Sequence, residues 1–223
     1  MRIENIEISG LDTAVKASKY PMSVDIEKVT EEITPTVEHL AKAKMGSGHD
    51  NFLNGIIVSF DVFGTNKWWT EMQRYHFTDF VSSQSTMHRI TKFDLDKSYN
   101  ANVDARIIEI MKEKVAKYTK LEKQYKDLKK RFEALTKIDN IDKNELAIIK
   151  DQLTQFNEYL KKLYLEILYS NPAGFILGAR LVTNYRQLKT IYAQRKNHRL
   201  PEWREFCSWI ETLPHSDWIT ENA

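Results

Sequence analysis

Between Arg74 and Arg89 the chain reads Arg-Tyr-His-Phe-Thr-Asp-Phe-Val-Ser-Ser-Gln-Ser-Thr-Met-His-Arg, so two guanidinium groups, two imidazoles and a run of hydroxyl and amide donors share one short stretch. These residue types suit phosphate. Arginine presents a planar fork that matches phosphate oxygens, and Ser, Gln and backbone amides add donors around it, each charge-assisted bond contributing roughly 1.5 to 3 kcal/mol. The same residues would also make an ordinary polar surface turn.

Two further polar knots lie elsewhere. Gly46-Ser47-Gly48-His49-Asp50-Asn51-Phe52 precedes the apolar run at 55–63. Its glycines permit positive φ, so a sharp turn is expected to bring His49 to the start of a strand. Asn184-Tyr185-Arg186-Gln187-Leu188 is followed by Gln194-Arg195-Lys196-Asn197-His198-Arg199. At about 3.6 residues per turn, Asn184, Leu188 and Arg195 fall on neighbouring faces of one helix. Three such knots converging would make a site for an anionic ligand.

In order and spacing these segments resemble the flavin-dependent thymidylate synthases, the family of thymidylate synthase complementing proteins. The resemblance rests on Gly48-His49-Asp50 before a strand and on Arg74-Tyr75-His76 leading to Ser82-Ser83-Gln84-Ser85 and Arg89. It is completed by Asn184-Tyr185-Arg186-Gln187-Leu188 with Arg195. Val15-Lys16-Ala17-Ser18-Lys19 is a weaker match near the N-terminus. The chain departs from the family at several points: Arg74-Tyr75-His76 stands where Arg-His-Arg is usual, Met87 where an Arg follows the motif serine, and no Arg stands near Leu168 ahead of Pro172.

The resemblance implies an enzyme that binds FAD beside deoxyuridine monophosphate. With NADPH as reductant, it passes a methyl unit from methylenetetrahydrofolate to the pyrimidine to make thymidylate. It assigns Gln84, Ser85, Arg89 and Arg195 to the nucleotide. It assigns His49, Arg74, Tyr75, His76, Ser83, Asn184 and His198 to the flavin, with no covalent nucleophile and no metal. Removal of Arg195 is then expected to weaken nucleotide binding without lowering thermal stability. The family also implies a homotetramer, with active sites built from more than one subunit. Alternatives are a diverged relative that binds nucleotide or flavin without methyl transfer, one that hydroxymethylates a pyrimidine nucleotide, and a non-enzymatic coiled-coil scaffold.

Nothing else in the chain makes a rival catalytic case. Cys207 is the only cysteine and sits in the apolar context Phe206-Cys207-Ser208-Trp209, which reads as packing. The six His show no His-x-x-x-His pair, and Gly-x-Gly-x-x-Gly and Walker motifs are absent. The 33 basic and 31 acidic residues leave a net charge of +2, which gives no reason to expect nucleic-acid binding. No apolar run approaches the roughly 18 residues of a membrane span and no signal-peptide stretch is seen, so a cytoplasmic placement is expected.

The elements that must position these residues read as α+β, with a mostly antiparallel sheet, packed helices and a long helical hairpin at about 104–168, in a single domain over 1–223. Ile alternates with polar residues over 3–8, a half-buried strand. Apolar spacing predicts a helix over 24–44 that Pro35 breaks or restarts. A strand follows at 55–63, then a helix opening near Trp68 that carries the first knot. Ile108, Met111, Val115, Tyr118, Leu121, Tyr125, Leu128, Phe132 and Leu135 recur at steps of three and four, giving a helix roughly 50 Å long at the ordinary helical rise. After a turn at 138–142, Ile149, Leu153, Phe156, Leu160, Leu163 and Ile167 mark the returning helix. Pro201 suits a first helical position, with Trp203, Phe206, Cys207 and Ile210 on one face. His198 lies just ahead of it, placed either for an anionic group such as a flavin phosphate or simply to cap the turn.

Overall fold

The computed structural model describes residues 1–138 and 141–222. In chain order the elements are β1 (Arg2–Ser9), α1 (Leu11–Ser18), α2 (Pro35–Ala41), β2 (Ile57–Thr65), α3 (Asn66–Met72), β3 (Asp79–Ser83), α4 (Thr86–Arg89), α5 (Ala105–Leu135), α6 (Lys143–Ser170), β4 (Ile176–Asn184), α7 (Tyr185–Arg195), α8 (Pro201–Ile210) and α9 (Asp217–Thr220). The four strands make one antiparallel sheet in the order β1-β2-β4-β3, the α+β architecture expected from the sequence.

The period of two in β2 decides which face is covered. Val58, Phe60 and Val62 are fully buried, while Ser59, Asp61 and Phe63 point to the opposite, half-buried face. Ala179 and Leu181 of β4 join the first set, and against them pack Trp68 of α3, Leu188 and Ile191 of α7, Trp203, Phe206 and Ile210 of α8 and Trp218 of α9. The sheet's other face is polar. There Arg180 of β4 donates to Ser59 Oγ at 2.9 Å and to the Asn5 carbonyl at 2.8 Å, and it pairs with Glu7 at 3.1 Å, so one guanidinium ties three strands together.

Two contact-dense units divide the chain, residues Met1–Gln84 with Ile176–Ala223, and Ser85–Phe175. The sheet and its helices belong to the first. In the second, α5 and α6 run as the expected hairpin, each opened by an aspartate cap: Asp104 Oδ1 accepts from Arg106 N and Asp142 Oδ1 from Asn144 N, both at 2.9 Å. Met111, Ile149, Leu160, Leu163 and Ile167 bury the seam, and Arg131–Glu145 and Lys114–Glu166 pairs cross it. The expected turn at 138–142 includes residues 139 and 140, which lie outside the described residues. No helix among the described residues is long and apolar enough to cross a membrane.

Three expectations are corrected. The periodicity over 24–44 does not make one helix: a 3-10 turn at Ile26–Lys28 and an extended stretch come first, and Pro35 is where α2 begins, with the Thr34 hydroxyl accepting from Val37 N at 3.4 Å. Pro35 has no N–H to lose at a first helical position, so it starts the helix rather than kinking it. The first knot is not helical for most of its length. α3 stops at Met72, and 79–83 pairs with β4 as the sheet's edge strand, because Phe80 can pack on Trp69 with ring centroids 5.2 Å apart. Finally, a 3-10 turn at Asn51–Gly55 separates His49 from β2.

Between β1 and α1, Gly10 holds φ +82, and a Cβ there would overlap the Gly55 carbonyl oxygen. Gly10→Ala should therefore cost about 2 kcal/mol or more, strain and overlap acting together. The less crowded Gly46 (φ +85, no atom within 4 Å of its Cβ position) should cost only about 1 kcal/mol. Urea unfolding of the two variants checks the ordering.

Candidate functional site

Helix α7 carries most of the polar chemistry of the first unit, and a single buried cation sets its position. Lys189 falls between Leu188 and Ile191 on the apolar face, and its exposure is 0%. A buried ammonium needs acceptors. It donates to the carbonyls of Ala41 at 2.9 Å and Ala43 at 2.7 Å and lies 3.5 Å from Asp50, itself 1% exposed. Burial pushes the Lys189 ammonium below its ordinary pKa, against the pull of the Asp50 charge. Asp50 also takes Arg186 Nε at 3.3 Å.

These contacts hold the glycine turn against the start of α7 and leave a cavity of about 430 Å³ lined by Met45, Gly46, Asp50, Asn54, Phe77, Asn184, Arg186, Gln187 and Thr190. Parts of all three polar knots thus meet here. Gly46 and Gly48 take φ +85 and +80, as the turn requires. Asn184 caps α7, its Oδ1 accepting from Gln187 N at 2.8 Å, which leaves its amide nitrogen without a partner among the described residues. The terminal guanidinium nitrogens of Arg186 are likewise uncommitted there.

A second cluster gathers around Glu71 of α3. Its carboxylate accepts from Arg195 Nη1 at 3.0 Å and Trp203 Nε1 at 2.9 Å, with Lys67 at 3.3 Å and His198 Nε2 at 3.5 Å. Arg195 also donates Nε to the Tyr75 hydroxyl at 2.7 Å and lies over the Trp203 ring, 4.6 Å from its centroid. Tyr75 donates onward to Gln194 at 3.0 Å. His198 Nδ1 accepts from Leu200 N at 3.1 Å, so it caps the turn before α8. Burial opposes ionisation of Glu71. The hydrogen bonds from Trp203 and Lys67 and the charge of Arg195 outweigh it and hold the carboxyl below its usual range.

The expected site residues therefore fall into separate neighbourhoods. Tyr75, Arg195 and His198 share the Glu71 cluster, and Asn184 lines the α7 cavity. His49 is exposed and borders a different cavity with His39, Lys42, Lys44 and Ser47. Ser83 and Gln84 line a groove of about 360 Å³ with Asp61 and Arg180, and Gln84 extends the sheet by exchanging 2.9 Å hydrogen bonds with Gly178. Arg74 and His76 are exposed, with no side-chain partner among the described residues. Ser85 and Arg89 belong to the second unit, at the two ends of α4: the Ser85 carbonyl accepts from Arg89 N at 3.1 Å, and the Arg89 side chain is exposed.

Cys207 is buried in α8, and burial raises its thiol to about 12, so it is no nucleophile at neutral pH. The sequence marks Asp50 only as part of the Gly48-His49-Asp50 segment, and its motifs include neither Glu71 nor Lys189. Lys189 was detectable in principle, since a lysine between Tyr185, Leu188 and Tyr192 stands on the core face of α7. Glu71 was not, because its main partner is 124 residues away.

No protein-family model matches this chain, and no curated protein sequence does. Among solved structures the fold is similar to two crystal structures of the flavin-dependent thymidylate synthase of Helicobacter pylori, both with FAD and dUMP. Each aligns with a TM-score of 0.57 at 13% identity, covering 99% of this chain and 98% and 97% of those chains. At that identity the likeness is one of fold.

The Glu71 cluster changes what is expected of Arg195. Arg195→Ala takes the guanidinium from a carboxylate that is only 14% exposed, leaving it Trp203 and Lys67, and should cost about 2 kcal/mol, so a lowered melting temperature is expected. Glu71 has a folded-state pKa below its unfolded value. Its contribution is therefore present above the unfolded pKa and is lost as pH falls through the lower, folded one. Denaturation midpoints of parent and Glu71→Gln should converge at acid pH and separate at neutral pH.

Proposed function

We propose that this chain is a flavin-dependent thymidylate synthase, transferring a methyl unit from methylenetetrahydrofolate to deoxyuridine monophosphate with FAD as cofactor and NADPH as reductant. The observation that carries the reading is the α7 cavity, where the glycine turn, Phe77 and the Asn184–Gln187 segment meet in a fold shared over almost its whole length with an enzyme bound to FAD and dUMP. The residues present fit one end of an anionic dinucleotide. Gly46 adds no side chain to the wall, the Asn184 amide offers a donor, and the free guanidinium nitrogens of Arg186 offer a fork for phosphate. When bound, the flavin supplies the electron chemistry of the methyl transfer.

The protein's own part is placement and charge. Arg186 binds the anionic portion of the cofactor, and Asp50, shared with Lys189, holds the guanidinium through its Nε in the cavity lining. In the second unit, exposed Arg89 with Ser85 is assigned to the nucleotide phosphate. Arg195 acts at one remove, holding Tyr75 and Glu71 in position. A cavity of about 430 Å³ takes only part of FAD, so the remainder is assigned to surface from other copies in a homotetramer. One feature favours a second reading, a relative that binds cofactor and nucleotide without turnover: Arg195, given to the nucleotide by the resemblance, is committed to Glu71 and Tyr75.

The purified protein should be yellow, sediment as a tetramer and convert deoxyuridine monophosphate to thymidylate when given NADPH and methylenetetrahydrofolate. Arg186→Ala should weaken flavin binding by about ten- to a hundredfold. Flavin bound without turnover would select the second reading, and a colourless protein that takes up no added FAD would overturn both.

A further inference from the structure

The hairpin of the second unit does not pack as a uniform apolar seam. Tyr118 and Tyr125 stand seven residues apart, two turns along the seam face of α5, at positions whose neighbours in the stripe are Val115, Leu121 and Leu128. A hairpin that served only to pack against itself would be filled by aliphatic side chains here, since a tyrosine brings a hydroxyl that must find a partner. Neither hydroxyl makes a hydrogen bond to protein among the described residues. Tyr118 meets Tyr164 of α6 edge-on, centroids 5.4 Å apart, and the three rings wall a cavity of about 600 Å³ that α4 borders with Met87 and His88. That volume lies within the range of small-molecule sites.

The charges at the rim are unequal. Glu122 is answered on both sides, by Lys126 at 3.0 Å and Lys92 at 3.5 Å. Lys161 has no carboxylate partner among the described residues, and neither has His88. Burial, helped for Tyr118 by the Glu122 charge, raises the phenols of Tyr118 and Tyr164, so both stay neutral O–H donors at physiological pH. The Tyr164 hydroxyl donates to the Thr86 carbonyl at 3.5 Å, so the aromatic walls, the two unpartnered hydroxyls of Tyr118 and Tyr125 and an uncompensated ammonium together describe one kind of ligand.

We propose that the α5–α6 cavity is a binding site for a planar aromatic molecule carrying an anionic group, with its ring against Tyr118, Tyr125 and Tyr164 and its anion on Lys161. The site lies wholly within the second unit and does not depend on the function proposed above.

Calorimetric titration of the full chain with 1-naphthyl phosphate and, separately, 1-naphthoate tests it, the two arms telling a phosphate from a carboxylate preference. Binding of at least one probe is expected at or below about 1 mM. Lys161→Glu, a change at an exposed position, should weaken it about tenfold or more with an unchanged melting temperature, and Tyr125→Phe should weaken it by a smaller factor. Asn184→Ala, in the other unit, should leave it unchanged. The proposal is overturned if neither probe binds, or if binding survives both hairpin variants. It is equally overturned if Lys161→Glu instead breaks a concentration-dependent dimer that neither probe affects, since the groove would then be covered by a second copy of the chain.

Discussion

A lysine ammonium with no exposure to solvent has to be answered by acceptors within the protein, and that requirement organises the first unit. Lys189 takes the backbone carbonyls of Ala41, the last residue of α2, and of Ala43 just beyond it, and leans on Asp50. The segment from Ala41 to Asp50 is therefore pinned to α7 rather than free to wander as a glycine-containing turn otherwise would. Removing one partner of such a group leaves a buried charge unanswered, at a cost of about 3 to 5 kcal/mol. The α7 cavity exists because this pinning brings Gly46, Asn184 and Arg186 to one wall.

The Glu71 cluster applies the same logic with the charges reversed. A mostly buried carboxylate collects an arginine, an indole N–H and a lysine, with the His198 ring close by, and in doing so ties α3 to the end of α7 and to α8. A third buried carboxylate, Glu202 at the start of α8, accepts from the Thr65 backbone and hydroxyl, both at 2.8 Å, where β2 passes into α3. Three ionic or polar knots thus join helices that the apolar core alone would leave free to slide, because hydrophobic contact is non-directional and hydrogen bonds are not. Residues that look from sequence like phosphate ligands, Arg195 above all, are partly spent on this internal bracing.

The hairpin is built on different terms. Its helices were legible because apolar residues that recur at steps of three and four along the whole of α5 and α6 share one face only when the chain is helical, and the aspartate caps stand where that periodicity starts. Its function was not legible in the same way. Tyr118 and Tyr125 read as seam residues like any other until the structure shows their hydroxyls without partners beside Tyr164 and Lys161.

By itself the sequence determined the α+β class, β1 and β2, the hairpin, the existence of α7, and α8 with its start at Pro201, since these follow from local periodicity, propensity and proline chemistry. It also determined that the glycine turn and the Asn184 segment carry polar groups suited to an anion. Only the tertiary structure decided which of those groups are free. Arg186 keeps its fork while Arg195, nine residues on, surrenders it to Glu71, and nothing in the local sequence of either arginine distinguishes them. Likewise 24–34, apolar at helical spacing, forms no α-helix and only a 3-10 turn at Ile26–Lys28, and 79–83 becomes an edge strand with Phe80 meeting Trp69. A residue's partners across more than a hundred positions are set by how the sheet and helices stack, and pairwise charge and packing energies of that range leave no mark on the neighbouring letters.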